Sequence, residues 1–491
     1  MVIIYGKISK GFRLPAGCPW RIMVFSSLIF TFYFLPAVLM LYYPARGKYR
    51  NYILLAASLF FYAYGEPRFI FVMAGSIALN YTIAMLMDRS RAHARLLMTA
   101  AVILNAGLLF VCKYLNFGIS VISSLTGAEL RPLPIRLPIG ISFFTFQALS
   151  YVIDVYRGRT AVQKNPLYVA LYISFFPQLI AGPIVRYHDI EAQIDERSVD
   201  ITLFGEGVKR FFLGFSKKVI LANNLAVAAE EIFAMPFTTV NPAVLWLGSV
   251  CYSLQIYYDF SGYSDMAIGL GRMFGFRFAE NFDYPYISKT VTEFWRRWHI
   301  SLSQWFRDYV YIPLGGSRGT AGRNIFNMFV VWILTGIWHG ANFTFIAWGL
   351  GYFILLVLEK YLVRPSGRKS RLFRILWQLL TLLCVNFGWV MFNSPSLRSG
   401  MRYCLSMLGV YVHRFSWDVS MRYYMREYGF YLFLGIFFAM PVMRELERKI
   451  RGSKVSAMLS PAEPVIYGAV FLWAVSFLIL GAHNPFIYFN F

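Results

Sequence analysis

The feature that most constrains this chain is a series of apolar segments that are each long enough to cross a lipid bilayer. A helix rises 1.5 Å per residue, so a hydrocarbon core of about 30 Å needs roughly 17–25 apolar residues. We therefore predict an all-α polytopic membrane protein with about 11–13 transmembrane and re-entrant helices. The clearest segments are Met23–Tyr43, Arg68–Met87, Leu96–Cys112, Ile139–Val155, Leu167–Ile184, Ala243–Phe260, Phe343–Leu362, Leu372–Phe392, Gly429–Met443 and Pro464–Gly481.

The composition supports this class and indicates a single domain. Of 491 residues, 58% are hydrophobic and 14% are charged, whereas soluble proteins average about 45–50% and about 25%. We find no long linker or internal repeat, so residues 23–491 are predicted to form one membrane domain. Residues 1–22 carry four basic side chains before the first apolar run. They are predicted to be an N-terminal extension or the product of a misassigned start.

The formal charge of +23 is explained better by membrane topology than by nucleic-acid binding. The basic residues lie in short runs between apolar segments, which is the pattern of cytoplasmic loops. Two spans separate Arg46–Arg50 from Arg89–Arg95, and two more separate Arg364–Arg374 from Arg444–Lys454. Each pair can therefore face the cytoplasm together, and the Asn393–Tyr428 connection is predicted to lie outside.

His339 lies in the sequence Trp338-His339-Gly340, within membrane-like surroundings. An imidazole is costly in hydrocarbon and exchanges protons near neutral pH, so it is a candidate for function. A continuous helix from Ile325 to Leu362 would be roughly 57 Å long, too long for one span. The chain must break, and Gly340–Asn342 is the natural place, which puts His339 at a helix end facing a cavity. The alternative is a packing histidine that hydrogen-bonds to a neighbour.

A second histidine, His299, follows Trp298 in a basic and aromatic segment, Phe294–Phe306. Tryptophans and leucine surround Arg296, Arg297 and Arg307 there. One interpretation is an amphipathic helix at the membrane interface. The other is a re-entrant helix whose arginines bind an anionic cofactor, because a guanidinium pairs well with phosphate. The two interpretations are compatible.

Two acids, Asp259 and Asp265, lie in the apolar segment Tyr257–Asp265. Buried carboxylates need partners, and arginines nearby in the sequence are the expected ones. These acids either form structural ion pairs or take a direct part in the site. The five cysteines have no metal-ligand spacing, so no metal site is predicted. The polar and aromatic region from Tyr257 to Asn342 is where we expect the active cavity.

Four motifs, Tyr258–Asp265, Phe294–His299, Pro313–Gly316 and Trp338–Gly340, together resemble the membrane-bound O-acyltransferases, and within them the bacterial alginate O-acetylase branch. The resemblance runs from Met23 to Phe491. It implies a helical bundle around a buried catalytic cavity.

The resemblance also implies roles for particular residues and molecules. His339 matches the essential histidine, as a general base or a covalent acetyl carrier, and His299 would orient the thioester or stabilise the oxyanion. The donor would be acetyl-CoA or a similar acyl thioester, used as a substrate and not as a bound cofactor. The acceptor side would be an exported polysaccharide and a periplasmic partner of the SGNH type, at the bacterial inner membrane. Candidate donor-binding residues are Arg296, Arg297, Arg307, Trp298, Trp338, Asp259 and Asp265.

Two other classes of function fit an intramembrane set of Asp, Arg and His. One is a transporter or flippase for a polysaccharide precursor, since such residues also mark proton relays and substrate paths. The other is a scaffold that recruits polysaccharide enzymes. Consumption of an acyl thioester by the purified protein separates the transferase from both.

Overall fold

A computed structural model describes residues 23–367, 370–413, 415–454, 458, 461–481 and 484–485 of the chain. The predicted extension, residues 1–22, lies outside the described residues, as does the end of the chain, residues 486–491. Within the described ranges the regular structure is helical, and pairing between extended segments is limited to one bridge between Phe282 and Trp298. The predicted all-α class is confirmed.

Most of the helices before residue 240 are short or are interrupted by π-helical turns. The α-helices are α1 Leu35–Tyr42, α2 Tyr49–Gly65, α3 Ile70–Arg89, α4 Ala94–Leu109, α5 Leu115–Thr126, α6 Ile141–Tyr156, α7 Pro166–Ser174, α8 Phe176–Leu179, α9 Tyr187–Asp195, α10 Ile201–Ser216 and α11 Asn223–Phe233. The π-helical turns are Phe30–Phe34, Phe110–Tyr114 and Lys217–Ala222, and Arg91–His93 is a 3-10 turn.

The second half begins with the longest uninterrupted helix described. The α-helices are α12 Pro242–Met273, α13 Val291–Arg297, α14 Ile300–Phe306, α15 Ala321–His339, α16 Phe343–Val357, α17 Arg371–Asn393, α18 Leu397–Met407, α19 Val419–Phe438, α20 Val442–Ile450 and α21 Ala462–Ile479. Arg307–Tyr311 and Leu358–Val363 are π-helical, and Pro285–Ile287 and Pro365–Gly367 are 3-10 turns.

Among the described residues, six helical segments are long and apolar enough to cross a membrane alone. A seventh is possible if α19 and α20, bent by 54° at their junction, form one span. Most of the other apolar runs that the sequence suggests as spans form shorter pieces, whereas Ala243–Phe260 is part of the long helix α12. The run Leu167–Ile184, for example, is divided between α7 and α8, because Phe175 leaves the helical conformation and Pro177 lies in the first turn of the next helix, where proline is tolerated.

Helix α12 forms the buried centre of the bundle and packs closely against α10. Where these helices cross, glycines face each other. A methyl group on Gly262 would lie 2.7 Å from the Gly214 carbonyl oxygen, and one on Gly269 would lie 2.6 Å from that of Gly207. Only residues without a side chain permit this approach, which is a common way to pack helices in membranes.

The basic connections lie at one end of the bundle, which we call the basic face. Arg444, from the basic run Arg444–Lys454, contacts Asp283 at 2.7 Å, and Arg297 contacts the same carboxylate at 3.2 Å. Glu359, just before the Arg364–Arg374 connection, accepts a hydrogen bond from the Val291 amide at 2.7 Å. These contacts join one basic run to the end of α13 and place Glu359, which lies just before the other run, at the start of α13.

The other end of the bundle, which we call the opposite face, carries the Asn393–Tyr428 connection. Asn342, between α15 and α16, donates to the Pro395 carbonyl at 3.1 Å. Asn241, before α12, donates to the Ser416 hydroxyl at 3.2 Å. The positive-inside rule predicts that the basic face is cytoplasmic and that the opposite face is external.

Cysteine labelling tests this orientation. In a variant without the native cysteines, Ser420→Cys should react with a membrane-impermeant thiol reagent added outside cells. Ser370→Cys and Ser453→Cys, both exposed at the basic face, should react only after the membrane is opened. Labelling of position 370 or 453 in intact cells would reverse the orientation.

Candidate active site

His339 is the last residue of α15 and lies inside the bundle with 8% of its surface exposed. Its ring meets Trp338, Trp348 and Phe392 edge to face, with centroid distances of 5.0, 5.0 and 5.1 Å. Neither ring nitrogen hydrogen-bonds to a described residue. Because α15 ends at His339, the predicted helix break is confirmed. Aromatic packing holds the imidazole and leaves its nitrogens available to a substrate.

Glycines make the turn after His339 possible. A methyl group on Gly336 would lie 2.6 Å from the Phe345 carbonyl oxygen, and one on Gly340 would overlap the Phe345 ring. Helix α16 can therefore start immediately beside the end of α15, with Asn342 capping its first turn through a 3.1 Å bond to the Thr344 amide. Gly336 therefore lets the backbone of α16 approach α15, and Gly340 makes room for the Phe345 ring.

A cavity of about 480 Å³ lies next to the His339 turn. It is bordered by residues that lie toward the opposite face, where α15 ends, α16 begins and α17 ends. It is also bordered by Lys113 from the π-helical turn after α4. Its lining is Lys113, Leu137, Tyr252, Gly340, Ala341, Asn342, Thr344, Phe345, Phe392, Asn393 and Ser394.

His299 lies between α13 and α14, not within one continuous helix as the sequence pattern suggests. Its backbone is left-handed, with φ 45°, and 2% of its surface is exposed. Asn281 holds this turn. Its backbone carbonyl accepts from the Ile300 amide at 3.0 Å, and its side-chain oxygen accepts from the Ser301 amide at 3.1 Å. A left-handed non-glycine residue costs free energy, and such strain is typical of functional sites.

The hydrogen bonds of Asn281 also assign the proton on His299. A backbone amide only donates, so the Asn281 atom that faces the Ser301 amide is the carbonyl oxygen. The same oxygen lies 3.2 Å from His299 Nδ1, which must therefore be the protonated nitrogen in neutral imidazole. His299 Nε2 is then an acceptor, and it is buried without a hydrogen-bond partner in the described part of the chain.

The far ends of α13 and α14 are tied to the basic face. Glu359 receives hydrogen bonds from the start of α13, and Tyr311, just after α14, contacts Asn324 at 2.6 Å. Lys360 also bonds Asn324, at 2.6 Å. A helix pair that begins and ends at one face, with His299 at its break, fits the re-entrant interpretation.

Trp338 connects the two histidines. Its ring centroid lies 6.0 Å from that of His299 and 5.0 Å from that of His339. Its indole N–H is buried without a hydrogen-bond partner in the part of the chain that the structure describes. Trp298, the other tryptophan candidate, packs against Trp389 at 4.7 Å and is 4% exposed. Trp338 is therefore the better placed of the two to contact a substrate.

The three candidate arginines differ in what they already bind. Arg297 pairs with Glu293 at 2.9 Å and with Asp283, and Arg307 pairs with Asp308 at 2.8 Å. Arg296 is exposed and forms no ion pair within the described ranges. Arg296 is therefore the one of the three whose guanidinium is available to an anion.

The prediction that arginines nearby in the sequence pair with Asp259 and Asp265 is wrong, although Asp265 does pair with a more distant arginine. Asp259 pairs with Lys218 at 2.6 Å, and both side chains are 2% exposed. Asp265 pairs with Arg210 and Lys217, each at 2.6 Å. These partners come from α10 and the π-helical turn after it, about 40–55 residues earlier in the chain. The acids join α12 to its neighbours, which is the structural alternative.

Sequence reasoning missed two residues next to His339, Lys113 and Tyr114. Lys113 Nζ donates to the Trp338 carbonyl at 2.6 Å, and the Tyr114 hydroxyl donates to the Ile337 carbonyl at 2.6 Å. They satisfy carbonyls that the end of α15 leaves without a helical partner. Lys113 directly follows the apolar run Leu96–Cys112. An isolated lysine there was a signal of a functional residue, because charges at that depth are costly.

Comparison with known proteins agrees with these motifs. The model of the membrane-bound O-acyltransferase family matches residues 161–401. The probable alginate O-acetylase AlgI of Pseudomonas aeruginosa is 45% identical over 388 residues, which cover 77% of this chain and 74% of that protein. The chain belongs to the membrane-bound O-acyltransferase family.

More distant relatives in the family act on other polymers by name. The peptidoglycan O-acetyltransferase of Helicobacter pylori is 34% identical, over 79% of this chain and 80% of that protein. The teichoic acid D-alanyltransferase of Bacillus subtilis is 32% identical, over 52% of this chain and 68% of that protein. This membrane-bound O-acyltransferase is thus a multi-pass enzyme that transfers an acyl group.

Proposed function

We propose that this O-acyltransferase moves an acetyl group from cytoplasmic acetyl-CoA to a hydroxyl group outside the bacterial inner membrane, for O-acetylation of an exported polysaccharide. The observation that carries the proposal is that the two histidines are approached from different ends of the bundle. His299 lies between helices tied to the basic face. Gly340, which follows His339, and Phe392, which packs on the His339 ring, line a cavity toward the opposite face. Trp338 contacts both histidines.

This arrangement fits the physical problem of the reaction. Acetyl-CoA carries several phosphate charges and cannot enter hydrocarbon, whereas an exported polymer is modified outside. A donor bound at the basic face would meet arginines there, and only its thioester end would need to reach the histidines. The acetyl group alone would then cross.

His339 is the proposed general base. A neutral imidazole nitrogen takes the proton of the acceptor hydroxyl while that oxygen attacks the thioester carbonyl carbon. The new C–O bond forms, the C–S bond breaks, and the imidazolium returns its proton to the departing thiolate. His299 Nε2, as an acceptor, would orient a hydroxyl or a thioester-side N–H group.

The acceptor we propose is an alginate-like exported polysaccharide, reached through a periplasmic partner of the SGNH type. The support is the 45% identity to a probable alginate O-acetylase, against 34% to a peptidoglycan O-acetyltransferase. No observation favours the transporter or flippase alternative. A test is purified protein in nanodiscs supplied with acetyl-CoA, the partner and either polymer. Acetyl esters on alginate would support the proposal, and polymer movement without acetyl-CoA consumption would overturn it.

Arg296 provides a sharper test of donor binding at the basic face. Arg296→Glu should weaken acetyl-CoA binding by about tenfold or more, because a charge-assisted hydrogen bond is worth about 1.5–3 kcal/mol. Arg374→Glu, the same charge change at an exposed position of the same face, is the matched control. Calorimetry in detergent measures both. If the two variants bind acetyl-CoA equally well, Arg296 is not part of the donor-binding site.

A further inference from the structure

We propose that Lys113 is a catalytic residue, whose Nζ group stabilises the negative oxygen that develops when the acceptor hydroxyl attacks the thioester. This assignment rests on the proposed acyl-transfer function. It concerns a residue outside the segment matched by the family model, which begins at residue 161. The oxyanion needs a hydrogen-bond donor beside His339, and the structure limits which side chain can provide it.

The position of Lys113 is fixed by the end of α15. Its Nζ lies 2.6 Å from the carbonyl oxygen of Trp338, the residue that precedes the proposed base. It also lies 5.8 Å from the centre of the Trp338 ring, the ring that contacts both histidines. The Nζ group is therefore next to the backbone of the reacting segment and beside the indole between the two imidazoles.

The surroundings of Lys113 leave it available to an anion. Among the described residues that line the cavity, Lys113 alone has a basic side chain. It forms no ion pair with any carboxylate in the ranges that the structure describes, although burying a charge without one is costly. One of its three N–H groups is used by the Trp338 carbonyl, so two remain for a ligand.

The second histidine does not provide this donor in its neutral form. Asn281 holds the proton of His299 on Nδ1, so Nε2 accepts hydrogen bonds and cannot give one to an oxyanion. His339, as the base, is receiving a proton at that step. The asparagines in the lining are neutral donors, and a charged donor binds a developing oxyanion more strongly.

In the proposed step the hydroxyl proton moves to His339 as the acceptor oxygen bonds to the carbonyl carbon. The C=O electron pair moves onto its oxygen, and Lys113 Nζ–H donates to that oxygen. When the C–S bond breaks, the carbonyl reforms and Lys113 returns to its starting state. No atom is transferred to the lysine, so its contribution is confined to the transition state.

Three variants separate catalysis from helix capping. Lys113→Gln keeps a neutral donor that can bond the Trp338 carbonyl, Lys113→Arg keeps the charge, and Tyr114→Phe removes only the neighbouring cap on Ile337. Acetyl transfer is measured in nanodiscs as kcat and KM, beside thermal stability in detergent. We expect Lys113→Gln to lower kcat by about 10²-fold with little change in KM, as for loss of an oxyanion donor. Lys113→Arg should keep more activity than Lys113→Gln, and Tyr114→Phe should stay within about threefold of the wild type.

Other outcomes overturn the assignment. If Lys113→Gln reduces kcat no more than Tyr114→Phe does, Lys113 is a cap only. If Lys113→Gln raises KM for the acceptor with kcat unchanged, Lys113 binds a ground-state anion such as a polymer carboxylate. Acetyl transfer by the wild-type protein distinguishes failure of the lysine assignment from failure of the acyl-transfer proposal. Turnover by the wild type with full activity in Lys113→Gln refutes only the lysine, whereas absence of turnover by the wild type refutes the acyl-transfer proposal and the lysine assignment with it.

Discussion

Replacing His339 with alanine is expected to lower acetyl transfer by about 10²–10⁴-fold, the usual contribution of a positioned general base. The fold should survive, because the imidazole makes edge contacts to Trp338, Trp348 and Phe392 but no hydrogen bond to a described residue. The measurement is acetyl ester formation by the purified variant, with melting temperature in detergent recorded beside it.

His93→Ala is the control for removing an imidazole. His93 is exposed in the 3-10 turn at the start of α4 and contacts Ser90 at 2.8 Å. It should retain wild-type transfer. His299→Ala should lie between the two, because orientation by an acceptor nitrogen is partly replaceable. Near-normal acetylation by a well-folded His339→Ala protein would contradict the assignment of the base.

Replacing Asp259 with leucine is expected to destabilise the protein by about 3–5 kcal/mol, since it leaves the Lys218 charge buried without its 2.6 Å carboxylate partner. The double variant Asp259→Leu with Lys218→Met should recover much of that loss, because replacing a buried pair by apolar groups is often neutral. Unfolding in mixed detergent micelles measures both free energies.

Asp88→Leu is the matched control at an exposed ion pair. Asp88 lies 3.6 Å from Arg91, with side chains 40% and 62% exposed, and such a pair is worth about 0–1 kcal/mol. If Asp259→Leu were no more damaging than Asp88→Leu, the buried pair would not hold α12 to its neighbour. If the double variant were worse than the single one, Lys218 would contribute mainly through other contacts.

The features that sequence reasoning predicted well are those set by local length and composition. The break at Gly340–Asn342 follows from the length of a helix that would otherwise extend from Ile325 to Leu362, and the structure ends α15 at His339. The polytopic helical class follows from apolar segment lengths in the same way. These quantities depend on neighbouring residues and on the thickness of the bilayer, both of which are known without a fold.

The features that sequence reasoning missed depend on contacts between distant segments. The pattern of Phe294–Phe306 predicts a single helix, either interfacial or re-entrant, but Asn281 binds Ile300, Ser301 and His299 and makes the chain turn there. Asp259 pairs with Lys218, which comes from a segment about 40 residues earlier in the chain. Lys113 likewise reaches the cavity from the first half of the chain.

Oriented proteoliposomes measure most directly whether the acetyl group crosses the bundle between its two faces. Alginate oligosaccharides and the periplasmic partner are sealed inside vesicles, and acetyl-CoA with a labelled acetyl group is added outside, where it reaches only proteins whose basic face points out. Labelled esters should accumulate on the trapped oligosaccharide while CoA stays outside, and His339→Ala vesicles should show only background. Labelled esters that form only on oligosaccharide placed on the same side as acetyl-CoA would contradict transfer across the membrane.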